Sequence, residues 1–341
     1  MIIAIKRDGK MMKPRPFLSR TLLSLLLSIP SFFSLVINSG CTNGGQEKIP
    51  KIAIVNYMNY PILNDSIEGI KRGLSNLGYK QGKNINIIEF NANGETDKLG
   101  LIAREVISID ADVIVPVSTP VAQIIINTVP HTQQVVFSTV TNPNDVDIKK
   151  RLPNVTGVSD VVNYEANIKL IRELFPEKKK IGFIYNPGEK NSVYGAGITN
   201  AICNREGLEL VTVTISNSNE IFGAASSLAS AVDLFYVGSD NTVVSGIGAL
   251  LKVAYEKQMP VISSDSGSVL NGSLAAISVN YSDLGIRVAE LIDEVLKGKK
   301  AGEIPNIFFE GKDLLINMKA AKSISFTFPE KYMTDAKTIV N

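Results

Sequence analysis

The chain is poor in the residue types from which reactive centres are built. Its 341 residues include one histidine, two cysteines and no tryptophan. His131 lies in the turn-like sequence Pro-His-Thr, so we expect it to have a structural role, because metal sites and histidine-based triads usually need more such residues. If Cys41 is lipid-modified, Cys203 has no partner for a disulfide and is expected to be a small apolar residue within a helix. The sequence therefore predicts neither a metal site nor a cofactor.

A strongly basic surface is also lacking. The formal net charge is +2, from 35 basic and 33 acidic side chains, but residues 1–40 carry six of the basic ones and a single acid. The remaining residues carry 29 basic and 32 acidic groups, a net charge of −3, and their longest basic run is Lys178–Lys180. Because phosphate binding needs concentrated positive charge, we expect no nucleic acid partner. Glycine-rich phosphate-binding loops that follow a strand are missing too, which disfavours a nucleotide ligand.

The N-terminus has the order of an export signal. A basic region precedes the apolar run Thr21–Ile37, and Asn38-Ser-Gly-Cys41 follows it. We interpret residues 1–40 as a signal peptide and 41–50 as a lipid-anchored linker. The cysteine after small residues resembles the lipobox of bacterial lipoproteins, although Asn38 stands where an aliphatic residue is usual. The alternative is a signal anchor that stays in the membrane. The apolar run is already near the minimum of ~20 residues for a membrane span, and Pro30 makes it a poorer spanning helix. Both interpretations place the body of the protein outside the cytoplasmic membrane.

From Lys51 onwards, apolar strands alternate with helical patterns, which predicts a parallel, doubly wound α/β sheet. The pattern occurs twice. Lys51–Val55 and Lys180–Ile184 are both buried strands followed by a loop with asparagine and proline, and Asp112–Thr119 corresponds to Asp233–Thr242, where a strand begins with aspartate and ends in a polar cluster. This repeat and the chain length predict two Rossmann-like lobes.

We expect the chain to cross between the lobes three times, which forms a hinge. The predicted crossings are Thr156–Ser159, Ser278–Asn280 and Ile304–Phe308. The N-terminal lobe would then comprise residues 51–157 and 280–305, and the C-terminal lobe residues 158–279 and 306–330.

The predicted cleft lies between the strand ends of the two lobes, where ligands of open α/β sheets bind. Ser118 and Thr119 follow one such strand, can cap the helix behind it and leave backbone N–H groups free. The polar side chains expected to face each other are Ser118, Thr119, Ser138 and Thr141 from the first lobe and Asn191, Ser192, Asp240, Asn241, Thr242 and Asp265 from the second. Hydroxyls and helix N-termini suit a carboxylate, and an aspartate suits an ammonium. An amino acid would satisfy both lobes and hold them closed.

Seven motifs, in order over about residues 50–325, resemble the substrate-binding lipoproteins of tryptophan/tyrosine-type ABC transporters. They are Gly-Leu-Ser-Asn-Leu-Gly-Tyr-Lys-Gln-Gly-Lys-Asn (73–84), Ser-Thr-Pro-Val-Ala-Gln (118–123), Val-Phe-Ser-Thr-Val-Thr-Asn-Pro (136–143), Asn-Val-Thr-Gly-Val-Ser-Asp (154–160), Tyr-Asn-Pro-Gly-Glu-Lys-Asn-Ser (185–192), Ser-Asp-Asn-Thr-Val (239–243) and Pro-Val-Ile-Ser-Ser-Asp-Ser (260–266). The resemblance implies a type I periplasmic-binding-protein fold and an amino acid, often aromatic, clamped between the lobes and delivered to an ABC permease in the cytoplasmic membrane. Carried over by position, it assigns ligand contacts to the same ten polar residues.

Two residues near the expected cleft depart from the family pattern. Asn59 stands where histidine before proline is common, and we include it among the candidate ligand contacts. Gly267 stands where a second acidic residue is common after Asp265. With no tryptophan to stack on a ring, the candidate aromatic contacts are Tyr57, Tyr60, Tyr164 and Tyr185.

Other functional classes remain open. An extracellular sensor of the same fold would need a signalling module, and we find none after residue 325. A repressor of the same fold would need a helix-turn-helix before the first lobe, where an export signal stands instead. A hydrolase could use Asp240 and Asp265 as a general acid/base pair. We expect a monomeric, lipid-anchored binding protein rather than an enzyme.

Overall fold

Two sheets organise the part of the chain that the structure describes. The computed structural model describes residues 48–146 and 152–341, and Lys48–Asn341 forms one unit. Cys41 and the predicted signal peptide lie outside the described residues. Within the described ranges, no helix combines the length and the apolar character that crossing a membrane requires.

Strands and helices alternate along most of the chain. The strands are β1 (Lys51–Asn56), β2 (Asn86–Asn91), β3 (Val113–Val117), β4 (Gln134–Ser138), β5 (Val155–Val161), β6 (Lys180–Tyr185), β7 (Glu209–Thr214), β8 (Leu234–Val237), β9 (Val261–Ser263), β10 (Ala275–Ser278), β11 (Ile307–Glu310), β12 (Asp313–Asn317) and β13 (Thr338–Val340). The α-helices are α1 (Pro61–Asn76), α2 (Thr96–Ser108), α3 (Thr119–Thr128), α4 (Tyr164–Leu174), α5 (Lys190–Arg205), α6 (Ile221–Leu228), α7 (Asn241–Ser245), α8 (Ile247–Glu256), α9 (Ser266–Asn271), α10 (Tyr281–Leu296), α11 (Met318–Ser323) and α12 (Glu330–Asp335).

The strands form two sheets that are mostly parallel. The first has the order β11-β5-β4-β3-β1-β2, and the second has the order β13-β12-β10-β9-β8-β6-β7, in which β12 runs antiparallel to β10. Strand β3, Val-Ile-Val-Pro-Val, is buried along its whole length, as is typical of a parallel sheet covered by helices on both faces. The predicted fold class, two α/β lobes with parallel sheets, is confirmed. We call each sheet with its helices a lobe: α1, α2, α3 and α10 belong to the first lobe, and the other helices to the second.

Helices α1 and α10 pack side by side at a very short distance. A Cβ atom on Gly69 would lie 2.2 Å from the carbonyl oxygen of Ser282, and one on Gly285 would lie 2.1 Å from that of Ser66. Only glycine permits this approach at both positions. The contact attaches α10, which follows a strand of the second sheet, to the first lobe.

The chain crosses between the lobes three times, and two of the crossings lie later than predicted. Strand β5 remains in the first sheet as far as Val161, because it pairs with β4 and β11. The pairing of β11 with β5 moves the third crossing to the short stretch between Glu310 and Asp313. Residues 158–161 and 306–310 therefore belong to the first lobe, not to the second. The remaining crossing separates β10 from α10.

The far edge of the second sheet was not part of the predicted strand pattern. Strand β12 returns antiparallel beside β10, and β13 pairs with β12, so the second lobe extends past residue 330 to Val340. Both strands follow the last crossing, where the alternation of strand and helix on which the sequence interpretation depends has ended.

The tight packing of α1 against α10 predicts that Gly285→Ala destabilises the protein by about 1–3 kcal/mol, because the added methyl would overlap the backbone of α1. Gly197→Ala is the matched control. Gly197 is an exposed position inside α5 with nothing within 4 Å of an added Cβ, so alanine there should stabilise the helix by about 0.5–1 kcal/mol. Urea unfolding measures both changes, and a Gly285 variant as stable as the wild type would contradict the packing.

Candidate functional site

The carboxyl ends of the strands of the two sheets face each other, and the lobes touch there. The hydroxyls of Thr141 and Ser239 share a hydrogen bond of 3.1 Å across the cleft. The Tyr60 hydroxyl donates to Oδ1 of Asp265 at 3.0 Å and lies 3.1 Å from the hydroxyl of Ser268. Helix α3 also contacts α5 of the other lobe. The structure is therefore closed around the predicted site.

Ser118 precedes α3 but does not cap it with its side chain. Its φ of +91° differs from the extended backbone that a capping residue adopts, and no cap hydrogen bond forms. The predicted side-chain cap is therefore wrong. The Ser118 hydroxyl is buried, and its oxygen has no hydrogen-bond partner among the residues that the structure describes. Thr119 is the first residue of the helix, and its hydroxyl oxygen accepts from the backbone N–H of Thr141 at 3.3 Å.

Ser138 lies at the end of β4 and is fully buried. Its hydroxyl shares hydrogen bonds with the hydroxyls of Ser66, at 2.8 Å, and Thr139, at 3.2 Å. Ser66 belongs to α1, so this predicted ligand residue connects the strand end to the helix beside it. The backbone of Thr139 has a positive φ of 58°, which turns the chain sharply after the strand.

In the second lobe a buried carboxylate organises several predicted residues. Glu189 is 5% exposed and accepts from the backbone N–H groups of Asn241 and Thr242 at 3.0 and 2.9 Å. It also accepts from the Asn241 amide and the Thr242 hydroxyl, both at 2.7 Å. The Asn191 amide donates to Glu189 and to the carbonyl oxygen of Ser239 at 3.1 and 3.0 Å, while its Oδ1 is buried without a partner. Asn241 and Thr242 thus direct their polar groups at Glu189.

Asp240 caps α7 and is saturated with donors. Its Oδ1 accepts from the backbone N–H of Val243 at 2.8 Å. Its Oδ2 accepts from the backbone N–H of Asn186 at 2.6 Å and from the hydroxyl of Ser192. Burial, and then the charge of Glu189, raise the pKa of Asp240 above its ordinary value. The structure thus gives Asp240 and Ser192 a role in fixing the start of α7.

Asp265 has the same role at α9. It accepts from the backbone N–H of Ser268 at 2.7 Å and from the Ser268 hydroxyl at 2.6 Å, besides the bond from Tyr60. Burial raises the pKa of Asp265. A Cβ atom on Gly267 would lie 2.9 Å from the Tyr60 ring, so the glycine that departs from the family pattern makes room for this tyrosine.

Asn59 lies apart from these residues. It is exposed, and its side-chain oxygen accepts from the amide of Asn64 at 2.5 Å. The structure does not bring this predicted contact into the closed interior.

Among the described residues, nine buried side-chain oxygens have no hydrogen-bond partner, and seven of them lie in the last two residues of a strand, directly after a strand, or in the first two residues of the helix that follows. These seven belong to Asn56, Ser118, Asp160, Tyr164, Asn191, Tyr236 and Ser264, and the other two to Gln133 and Thr199. Sequence reasoning missed Asn56, Asp160, Tyr236 and Ser264. A signal for Asp160 was present, because it is the one charged residue in the buried strand Val-Thr-Gly-Val-Ser-Asp-Val.

Asp160 is 2% exposed, and only one of its oxygens is occupied. Its Oδ2 accepts from the hydroxyl of Tyr281 at 3.3 Å. Burial raises the pKa of Asp160 to about 7, against the opposing effect of its own backbone N–H and of the Tyr281 and Thr141 hydroxyls. Near neutral pH the Asp160 carboxyl can therefore release its proton when a cationic group approaches it.

A groove of about 550 Å³ leads into the cleft between the lobes. Its lining combines Tyr57, Pro120 and Ile124 of the first lobe with Asn186–Glu189 and Thr214–Ser216 of the second. The groove adjoins the starts of α3 and α5.

Two α/β lobes joined by three crossings give the described part of the chain the fold of type I periplasmic binding proteins. Residues 51–340 match the family model for ABC transporter substrate-binding proteins, and the chain belongs to this family. A tyrosine-binding protein from Clostridioides difficile is 34% identical over 282 residues, which cover 82% of this chain and 81% of that protein. The resemblance stated from the motifs is confirmed, and the family is one of binding proteins that work outside the cytoplasm.

Two solved structures are equally similar to this chain in sequence, but one superimposes on it better than the other. An ABC domain in complex with L-Trp from Streptococcus pneumoniae is 29% identical, covers 85% of this chain and 99% of its own, and superimposes with a TM-score of 0.81. The ligand-free, open structure of a substrate-binding protein with adhesive properties from Clostridium difficile is also 29% identical, covers 86% and 100%, and gives a TM-score of 0.67. The better agreement with the complex fits the direct contacts between the lobes.

The cluster around Glu189 predicts a large effect of Glu189→Gln on stability. The amide group would direct donors at N–H groups that already donate, so we expect a loss of about 2–4 kcal/mol in the free energy of unfolding. Glu209→Gln is the control, because the Glu209 side chain is 59% exposed and pairs with Lys180 at 3.4 Å; its effect should stay within about 0.5 kcal/mol. Urea unfolding distinguishes them, and equal stabilities would show that Glu189 does not organise α7.

The raised pKa of Asp160 predicts a dependence of stability on pH. Because the pKa is about 7 in the folded protein against an ordinary value of 3.8, the folded protein holds a proton that the unfolded chain has released. This contribution to the free energy of unfolding falls as the pH rises from about 4 to 7. Without ligand, Asp160→Asn should therefore gain about 2–3 kcal/mol relative to the wild type between pH 5 and pH 8. Urea unfolding at both pH values measures the gain, and a constant difference would mean an ordinary pKa.

Proposed function

We propose that this protein binds an aromatic α-amino acid between its two lobes and delivers it to the permease of an ABC importer. The observation that carries the proposal is the set of buried, unpartnered oxygens at the strand ends of both lobes. Each such atom costs about 1–3 kcal/mol when it remains unsatisfied. A polar ligand that bonds to several of them would stabilise the closed arrangement of the lobes.

The first lobe suits the carboxylate of such a ligand. The helix α3 begins at Thr119, and the partial positive charge of its N-terminus lies beside the unpartnered Ser118 hydroxyl. The Thr119 hydroxyl accepts one bond and keeps its own proton to donate. In this proposal Ser118, Thr119 and Thr141 contact the ligand from the first lobe and Asn191 contacts it from the second. Ser138, Ser192, Asp240, Asn241, Thr242 and Asp265 hold the walls of the site.

Two observations support an aromatic side chain. One relative is named for tyrosine binding, and a similar structure holds L-Trp. The groove between the lobes presents the ring of Tyr57 and the apolar side chains of Pro120 and Ile124 next to the start of α3. These groups offer the flat, apolar surface on which an aromatic ring packs.

We also infer that the mature protein is a monomer with a lipid anchor on Cys41, on the outer side of the cytoplasmic membrane. The support is the sequence order of basic region, apolar run and cysteine. A tether of this kind keeps a binding protein close to its permease.

Thermal unfolding in the presence of each of the twenty amino acids tests the function. We expect stabilisation by tyrosine, tryptophan or phenylalanine, reaching about 2.7 kcal/mol at a ligand concentration 100 times the dissociation constant. The absence of stabilisation by any amino acid would refute the ligand class.

The Ser118→Ala variant extends the same experiment. Its affinity should fall about 5- to 15-fold, whereas the ligand-free protein should become about 1–3 kcal/mol more stable than the wild type, because the removed hydroxyl is buried without a partner. Ser226→Ala is the control, because it removes an exposed hydroxyl that donates to the carbonyl oxygen of Phe222 in the preceding turn of α6. Ser118→Ala with full affinity would contradict the assigned contact.

A further inference from the structure

An amino acid carries an ammonium group, and a buried ammonium requires an anionic partner. Three aspartates are buried at the strand ends of the closed cleft: Asp160, Asp240 and Asp265. Asp240 and Asp265 were the residues that the sequence favoured. Each of their oxygens already accepts at least one hydrogen bond within its own lobe or from Tyr60.

Asp160 differs from both in its free oxygen. In the part of the chain that the structure describes, its buried Oδ1 has no hydrogen-bond partner, while Oδ2 accepts the 3.3 Å bond from Tyr281. Among the described residues, no lysine, arginine or histidine contributes to its electrostatic environment. This carboxyl therefore has the capacity to accept from a cation and lacks one in the chain around it.

Asp160 also lies where a ligand between the lobes could reach it. Asp160 is the penultimate residue of β5, at the edge of the sheet that faces the second lobe. The preceding residue, Ser159, donates to the carbonyl oxygens of Val140 and Thr141 at 2.6 and 3.3 Å, which joins the strand to the loop after β4. The Thr141 hydroxyl in turn bonds to Ser239 across the cleft. Asp160 is thus part of the same strand-end wall as the contacts between the lobes.

We propose that Asp160 is the residue that binds the α-ammonium group of the ligand, through its unpartnered Oδ1. The assignment rests on the proposed function and adds to it the residue that distinguishes an α-amino acid from the same molecule without its amino group. An ammonium has three N–H donors, and hydroxyl oxygens such as those of Thr141 and Tyr281 lie close enough to Asp160 to share them. The Ser118 hydroxyl and the N-terminus of α3 then bind the carboxylate of the same ligand.

Isothermal titration calorimetry with two matched ligand pairs tests the assignment. The pairs are L-tyrosine with 3-(4-hydroxyphenyl)propionate, and L-tryptophan with 3-(indol-3-yl)propionate, which lack only the amino group. The wild type should bind the amino acid at least about 100-fold more tightly than its deaminated partner. Asp160→Asn should lose about 100-fold in affinity for the amino acid and keep its affinity for the deaminated acid, because the amide cannot balance the ammonium charge.

Asp293→Asn is the control, because Asp293 is a buried aspartate of α10 that accepts from the Tyr79 hydroxyl at 3.0 Å and pairs with Lys297 at 2.7 Å, so its loss should leave the preference for the amino group unchanged. Asp240→Asn tests the alternative that another buried aspartate of the cleft binds the ammonium. If Asp160→Asn does not fold, as judged by circular dichroism, Asp160→Ser replaces it with the same expected loss of preference. A wild-type preference that survives in the Asp160 variants, or that disappears in Asp240→Asn instead, would overturn the assignment and leave the proposed function standing. A wild type that binds none of the amino acids would overturn both.

Discussion

A carboxylate removed from water is stable only where donors surround it, and the cleft of this protein is built on that constraint. Glu189, Asp240 and Asp265 each meet it with backbone N–H groups at the starts of helices. These bonds fix α7 and α9 and orient the loops around them. The second lobe therefore presents a wall whose polar groups are largely committed before any ligand arrives. Asp160 is the exception, because half of its carboxylate has no partner.

The two lobes consequently contribute different things to the site. The bonds around Glu189 hold Asn191, Asn241 and Thr242 in one arrangement, which is the rigidity that a binding surface needs in order to avoid ordering costs. The first lobe supplies the unpartnered oxygens of Ser118 and Asp160, and the second lobe adds those of Asn191 and Ser264. Internal similarity between the lobes in sequence thus does not mean equal roles in binding.

Much of the fold could be predicted because buried parallel strands are apolar runs and because the pattern of strand and loop occurs twice. The positions of polar residues at strand ends followed from the same pattern. The sequence pattern did not predict which of these residues face a ligand, because their side chains bond to residues that are distant in sequence. Asn241 and Thr242, for example, bond to Glu189, about fifty residues earlier. The positive φ of Ser118 likewise left no trace in the local sequence. The crossings were misplaced because pairing between strands decides where a sheet ends.

The position of Asp160 relative to the hinge connects ligand binding with closure of the lobes. Asp160 is the penultimate residue of β5, directly before the first crossing, and Tyr281 begins α10 directly after the second crossing. Their hydrogen bond therefore joins two of the three hinge segments. A cation bound to the other oxygen of Asp160 would act on the residue that connects these segments, at the base of the cleft. The bond from Tyr60 to Asp265 joins the lobes at the starts of α1 and α9, next to the second crossing, because the N–H of Ser266 donates to the hydroxyl of Ser278 at 3.0 Å. Closure would then be set on the hinge side of the cleft, by a ligand at Asp160 and by this contact within the protein between α1 and α9.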